Sequence, residues 1–169
     1  MDREECLRFL KERVSFHLIE HPAVFNMEET DALHIPHEEQ IAKNLFLRDD
    51  KKAHYYLVAV HGRKQVDLKA LQREIGSRRL TFASEADLKR YVGVKQGSVT
   101  PLGLLGAPDH KVRFYLDAEF RYQQIGMHPM ENTATVFMEA EALMQLLHGA
   151  GCGADWLNIP ERTAKSNRD

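Results

Sequence analysis

Six consecutive residues, Tyr55-Tyr56-Leu57-Val58-Ala59-Val60, constrain this chain more than any other stretch. They are aromatic, aliphatic and β-branched, with no charge among them. A run of that kind and length reads as a strand buried on both faces, at the centre of a sheet. The rest of the chain must then supply its neighbours and its cover. Residues 40–47 read as a partner strand carrying Ile41, Leu45 and Leu47, joined to it through the charged turn Arg48-Asp49-Asp50-Lys51-Lys52. Residues 16–19, 112–116, 121–125 and 133–138 are further strand candidates.

Helices are expected over 2–14, with Leu7, Leu10 and Val14 on one face, and as a single turn over 28–33. Asp67 caps another, with Leu68, Leu71 and Ile75 inward and Gly76 closing it. Ser84-Glu85-Ala86-Asp87 opens the next, which ends at Gly93. The last covers 139–148, with Leu143, Leu146 and Leu147 inward. Strands fall before and after paired helices, without strict βαβ alternation. The pattern predicts an α/β chain of α+β type, a mixed and largely antiparallel sheet surrounded by helices, rather than a doubly wound fold.

The 169 residues are expected to form one domain over 1–160, followed by a polar, disordered tail over 161–169. A net charge of -2 gives no overall attraction for nucleic acid, so any such site must be a local patch. Cys6 and Cys152 lie far apart and form no CxxC, which argues against a disulfide framework or a cysteine zinc site. No apolar run reaches membrane-spanning length, and Asp2, Arg3, Glu4 and Glu5 exclude a signal-peptide core at the start. A cytoplasmic location with no membrane partner is expected.

Three places carry candidate chemistry. In Gly97-Ser98-Val99-Thr100-Pro101-Leu102-Gly103, the glycines free the backbone and Pro101 biases Thr100 towards an extended shape. Such a loop can aim successive N–H groups at one oxyanion, although an ordinary surface turn is the competing reading. It lacks the Gly-Lys-Ser/Thr ending of a P-loop and the G-x-S-x-G frame of a nucleophile elbow. Lys43 shares a strand face with Ile41, Leu45 and Leu47, so it either guards an edge or enters a cleft. Asn44 beside it is a poor strand former. His128-Pro129-Met130-Glu131-Asn132 connects two predicted strands, where a histidine either serves a site or stabilises a turn. His34-Ile35-Pro36-His37 has no helical ligand spacing, because Pro36 interrupts it. Arg78-Arg79 and Lys89-Arg90, with Lys95 beyond, form a cationic patch only if the fold brings them together.

Seven segments in order resemble the YbaK/prolyl-tRNA editing-domain family, in its free-standing ProX (PrdX, ProXp-ala) branch. They are His21-Pro22-Ala23-Val24, Lys43-Asn44-Leu45-Phe46-Leu47-Arg48-Asp49, Tyr55-Tyr56-Leu57-Val58, Lys64-Gln65-Val66-Asp67-Leu68 and Arg79-Leu80-Thr81-Phe82-Ala83. The GxxxP loop from Gly97 to Pro101 follows, and His128-Pro129 with Asn132-Thr133 closes the series. The loop exit Leu105-Gly106-Ala107-Pro108 departs from relatives, in which Asn or Asp is common there.

The resemblance implies a mixed sheet wrapped by helices and hydrolysis of an amino acid wrongly esterified to tRNA(Pro), in trans to prolyl-tRNA synthetase. It implies no metal and no organic cofactor, and no DNA partner. Lys43, Asn44, Gly97, Ser98 and His128 are its implied catalytic group, with the N–H groups of 97–100 as oxyanion donors. Phe25, Thr30, Leu47, Val99, Thr100, Pro101, Met127 and Asn132 are placed around the substrate by their neighbourhood to those motifs. Arg78, Arg79, Lys89 and Arg90 are assigned to tRNA. Alanine is the expected amino acid. A cysteine-specific deacylase of the YbaK type and a non-catalytic tRNA-binding module are the alternatives.

Overall fold

The computed structural model describes residues 1–107 and 109–163. Its elements in chain order are α1 (Arg3–Lys11), β1 (His17–Glu20), α2 (Met27–Leu33), β2 (Ala42–Asp49), β3 (Tyr55–His61), α3 (Leu68–Ile75) and β4 (Leu80–Phe82). They continue with α4 (Glu85–Tyr91), β5 (Val112–Asp117), β6 (Gln124–Met127), β7 (Ala134–Glu139), α5 (Ala140–Gly149) and β8 (Ala154–Leu157). A 3-10 helix, Pro101–Gly106, follows the glycine loop.

Among the described residues the strands make two sheets, not one. The larger has the order β4-β2-β3-β5-β8 and the smaller β1-β7-β6. Pairing is antiparallel throughout the smaller sheet and between β2 and its neighbours, and parallel from β3 to β5 to β8. A bridge between Ile41 and Gly126 joins the two sheets.

β3 is central, as its composition predicts, and its alternate residues feed two different cores. Leu57 and Ala59 enter the larger core with Phe114, Leu116 and the inner face of α5. Val58 and Val60 enter a second core under α3, with Leu47, Leu71 and Ile159. All four are fully buried, so Leu57, Val58 and Val60 each contribute about 1.5–3 kcal/mol.

The helix caps follow the sequence closely. Asp67 accepts the Ala70 N–H, Gly76 ends α3 at φ +68°, and Ser84 accepts the Asp87 N–H at the start of α4. Several boundaries differ from expectation. β2 runs on through Asp49, because Asp49 accepts from Ala53 N–H and the His54 ring and so moves the turn to 50–54. β6 starts at Gln124, since the turn after the 3-10 helix Ala118–Phe120 occupies 121–123. β4 and β8 are additional. The chain stays ordered past 160: Glu161 bridges Val66, and Arg162 N–H donates to the Gln65 carbonyl at 2.7 Å. The rest of the expected tail, 164–169, and Pro108 of the loop exit lie outside the described residues.

Candidate active site

Where the two sheets meet, the first residues of β2, the end of β6 and α2 enclose a cleft of about 450 Å³, with the turns at 82–85 and 96–99 closing its sides. Ala42, Asn44 and Phe46 alternate onto this side of β2, together with Leu88, Val99 and Met127 as apolar walls. Ile41 also lines it, because it precedes the strand and leaves the alternation to bridge Gly126.

Lys43 and Asn44 sit side by side on β2 and face differently. The Lys43 ammonium donates to the Lys64 carbonyl. Lys64 is itself buried, its ammonium bonded to Asp117 Oδ2 at 2.7 Å and Glu119 Oε1 at 3.1 Å. Burial lowers the Lys43 pKa from its ordinary value. At Lys64 burial acts in the same direction, but the hydrogen bonds to Asp117 and Glu119 outweigh it and raise the pKa. Asn44 Oδ1 is buried and has no donor among the described residues. An acceptor left in that state costs about 1–3 kcal/mol, which a bound donor recovers.

His128 lies at the end of β6. Its Nδ1 donates to the Ala134 carbonyl at 2.9 Å, which leaves Nε2 as the acceptor of the neutral ring. Burial lowers its pKa, against the opposing pull of the Ala134 hydrogen bond. Its ring lies 6.1 Å from that of His21, which is fixed by the Pro22 carbonyl and Thr135 Oγ1. The His21 pairing was not legible beforehand, since it depends on β1 and β6 both flanking β7.

The glycine loop contributes less than its sequence suggests. Gly97, at φ +90°, and Val99 line the cleft. A Cβ on Gly97 would press on the Phe25 ring at 2.9 Å, so glycine is required there twice over. Ser98, expected to offer its N–H to an oxyanion, instead donates it to the Lys95 carbonyl at 3.0 Å and is buried. Thr100 is fully buried and its hydroxyl accepts the Leu102 N–H, while buried Pro101 starts the 3-10 helix. These three shape the loop and do not line the cleft.

Phe25, Thr30 and Met127 line the cleft. Leu47 does not: it is fully buried in the second core, on the opposite face of β2. Asn132 acts from outside, its amide donating to the Val24 carbonyl at 2.8 Å and so anchoring the loop that carries Phe25. Phe82 was missed as a site residue. It is 59% exposed and lines the cleft from β4, and an aromatic within the matched segment 79–83 was the available signal. The two hydroxyls on the lining are both engaged, Thr30 with the Asn26 carbonyl and Ser84 with Asp87 N–H. Neither has a histidine partner, so neither hydroxyl is an activated nucleophile.

The predicted cations have separate surroundings. Arg78 is clamped to Asp50 by two bonds of 2.6 and 3.0 Å. Asp50 follows the end of β2, seven residues from Lys43, or about 23 Å of extended chain. Arg90 packs over the Tyr91 ring at 5.0 Å, and Arg79 is exposed before β4. Only Lys89, with Lys95, borders a depression that shares Phe25 and Gly97 with the cleft.

Residues 21–146 match the family model of the aminoacyl-tRNA editing domain. The chain belongs to that family. The matched span holds the whole of the cleft lining. Among relatives of the editing domain, the chain is 36% identical over 140 residues to the prolyl-tRNA editing protein ProX of Acetoanaerobium sticklandii, covering 82% of this chain and 85% of that one. It is 37% identical over 159 residues to the prolyl-tRNA synthetase associated domain-containing protein 1 of Xenopus laevis, covering 88% and 92%. A solved structure described as a candidate trans-editing enzyme for prolyl-tRNA synthetase shares the fold, with a TM-score of 0.71 at 22% identity over 96% of this chain and 99% of that one. No helix among the described residues is long and apolar enough to cross a membrane.

Proposed function

We propose that this editing domain is a trans-acting deacylase that hydrolyses alanine mischarged on tRNA(Pro), working in the cytoplasm beside prolyl-tRNA synthetase. The observation that carries this reading is the cleft's polar set: an orphaned Asn44 oxygen, a neutral His128 nitrogen and the Lys43 ammonium, with neither lining hydroxyl paired to a histidine. Aminoacyl esters are activated, and water is a sufficient nucleophile if it is held and the oxyanion is stabilised.

In this mechanism Asn44 Oδ1 accepts from the α-ammonium of the aminoacyl group. Lys43 has three N–H bonds, of which one goes to the Lys64 carbonyl, and the others face the ester oxygens or the terminal ribose. His128 Nε2 orients the attacking water, whose proton passes to the departing ribose oxygen with help from the neighbouring ribose hydroxyl. The products are free alanine and tRNA with its terminal hydroxyl restored. Proline is spared by steric overlap with the walls at Phe25, Thr30 and Met127, because a pocket rejects a larger group more sharply than a smaller one.

Incubation with alanyl-, seryl-, cysteinyl- and prolyl-tRNA(Pro), counting released amino acid, tests the reading. Alanyl ester is expected to be cleaved fastest, and Lys43→Ala to lower kcat/KM at least a hundredfold with an unchanged Tm. Faster cleavage of the cysteinyl ester assigns the YbaK-type specificity instead. Efficient cleavage of the prolyl ester defeats size exclusion. Binding without any cleavage leaves only the binding-module alternative.

A further inference from the structure

A second groove, of about 490 Å³, lies on the far side of Lys43. It shares two lining residues with the active-site cleft, Lys43 and Phe82. These side chains are the divide between the grooves, so a ligand leaving the cleft over them enters the second one. Its walls carry Lys43, Lys69 and Arg162 against one carboxylate, Asp67. That carboxylate is engaged in capping α3 through Ala70 N–H at 3.0 Å. Lys69 and Arg162 are exposed and form no ion pair among the described residues. The wall is firm: Arg162 N–H donates to the Gln65 carbonyl and Asp67 N–H to the Pro160 carbonyl, at 2.7 and 2.9 Å.

Extending the deacylase reading on which it rests, we propose that this groove holds the single-stranded 3′ end of the tRNA immediately behind the ester, with Phe82 as the stacking surface for a base and Lys69 and Arg162 as phosphate contacts. The occupant follows from complementarity and continuity. An exposed aromatic ring in the same groove as unpaired cations suits unpaired nucleotides, where stacking is tolerant of sequence and cations follow the backbone. A peptide or small acid would satisfy the cations and leave the ring without use. The groove also adjoins the cleft over Lys43 and Phe82, so a covalently attached chain that leaves across them runs directly into it. The cations that sequence reasoning assigned to tRNA lie elsewhere: Arg78 is neutralised by Asp50, and Lys89 borders a different depression.

The test uses the full chain and deacylated tRNA(Pro) transcript, intact or lacking its last three nucleotides. Phe82→Ala is expected to weaken binding of intact tRNA about tenfold, Phe82→Trp to restore it, and neither to change binding of the shortened RNA. Lys69→Ala with Arg162→Ala is expected to weaken intact tRNA and to flatten its log–log salt dependence by about 0.7 per lost phosphate contact. All three positions are exposed, and an unchanged Tm for each variant accompanies the measurement. Unaltered affinity in these variants, or an equal loss on intact and shortened RNA, overturns the proposal. Hydrolysis of alanyl-tRNA(Pro) is followed in parallel. Binding that responds as stated in a protein that cleaves nothing removes the deacylase reading and keeps the groove.

Discussion

His128 shows how one side chain ties the site to the stability of the fold. An unfolded histidine takes its proton near pH 6.5, whereas folded His128 resists it, first through burial. Unfolding therefore takes up a proton as pH falls below about 6.5, and stability present above that value is lost on acidification. In a comparison of Tm between pH 7 and pH 5, wild type is expected to fall more steeply than His128→Gln. Parallel curves would mean that the ring is not held neutral. Deacylation by the folded wild type should decline only at lower pH, where the folded ring itself takes the proton and Nε2 becomes a donor. Asn44 belongs to the same scale: its oxygen is costly to the free protein and is matched only when a donor arrives.

At the scale of the element, β2 is one strand with two functions divided by its pleat. Asn44 and Phe46 face the cleft, and Leu45 and Leu47 face the core under α3. Leu47→Ala is expected to cost about 2–5 kcal/mol in urea unfolding, the range for a fully buried leucine. The alanyl-to-prolyl selectivity of the folded fraction should stay unchanged. A change in selectivity without loss of stability would restore Leu47 to the pocket wall. The glycine loop divides in the same way. Gly97 and Val99 reach the cleft, while Thr100 and Pro101 are committed to the start of the 3-10 helix.

Across the whole molecule, the buried Lys64–Asp117 pair connects the segment after β3 to the end of β5. Because the Lys43 ammonium rests on the Lys64 carbonyl, this pair also supports the Lys43 cation from behind. Removing one partner leaves a buried charge with incomplete compensation. Asp117→Ala is expected to lose about 3–5 kcal/mol by equilibrium unfolding. The double variant Lys64→Met, Asp117→Leu should recover part of that loss, since the pair is replaced by apolar volume. If the double variant is no more stable than Asp117→Ala, the cost does not arise from an unpaired charge. Glu119, half-exposed, is a weaker partner and cannot substitute fully.

The amino-acid sequence by itself determined what short-range physics controls. β3 was legible because both faces of its run from Tyr55 to Val60 are largely buried, so that run had to be uncharged and mostly apolar. The ends of α3 and the start of α4 were legible because a cap is written within four residues of the turn it closes. The family was legible because its motif blocks keep their order along the chain. Tertiary structure decided which of these pieces meet. β8, with the sequence Ala-Asp-Trp-Leu, is a strand only because β5 offers it a parallel edge. Leu47 and Phe46 are both apolar neighbours, and only the sheet's position between two cores sends one to the α3 core and the other to the cleft. Lys69 and Arg162 lie far apart in sequence and share a groove because residues 160–162 return to pair with 65–67. Contacts of that kind depend on pairing between distant segments, and no local pattern of residues encodes them.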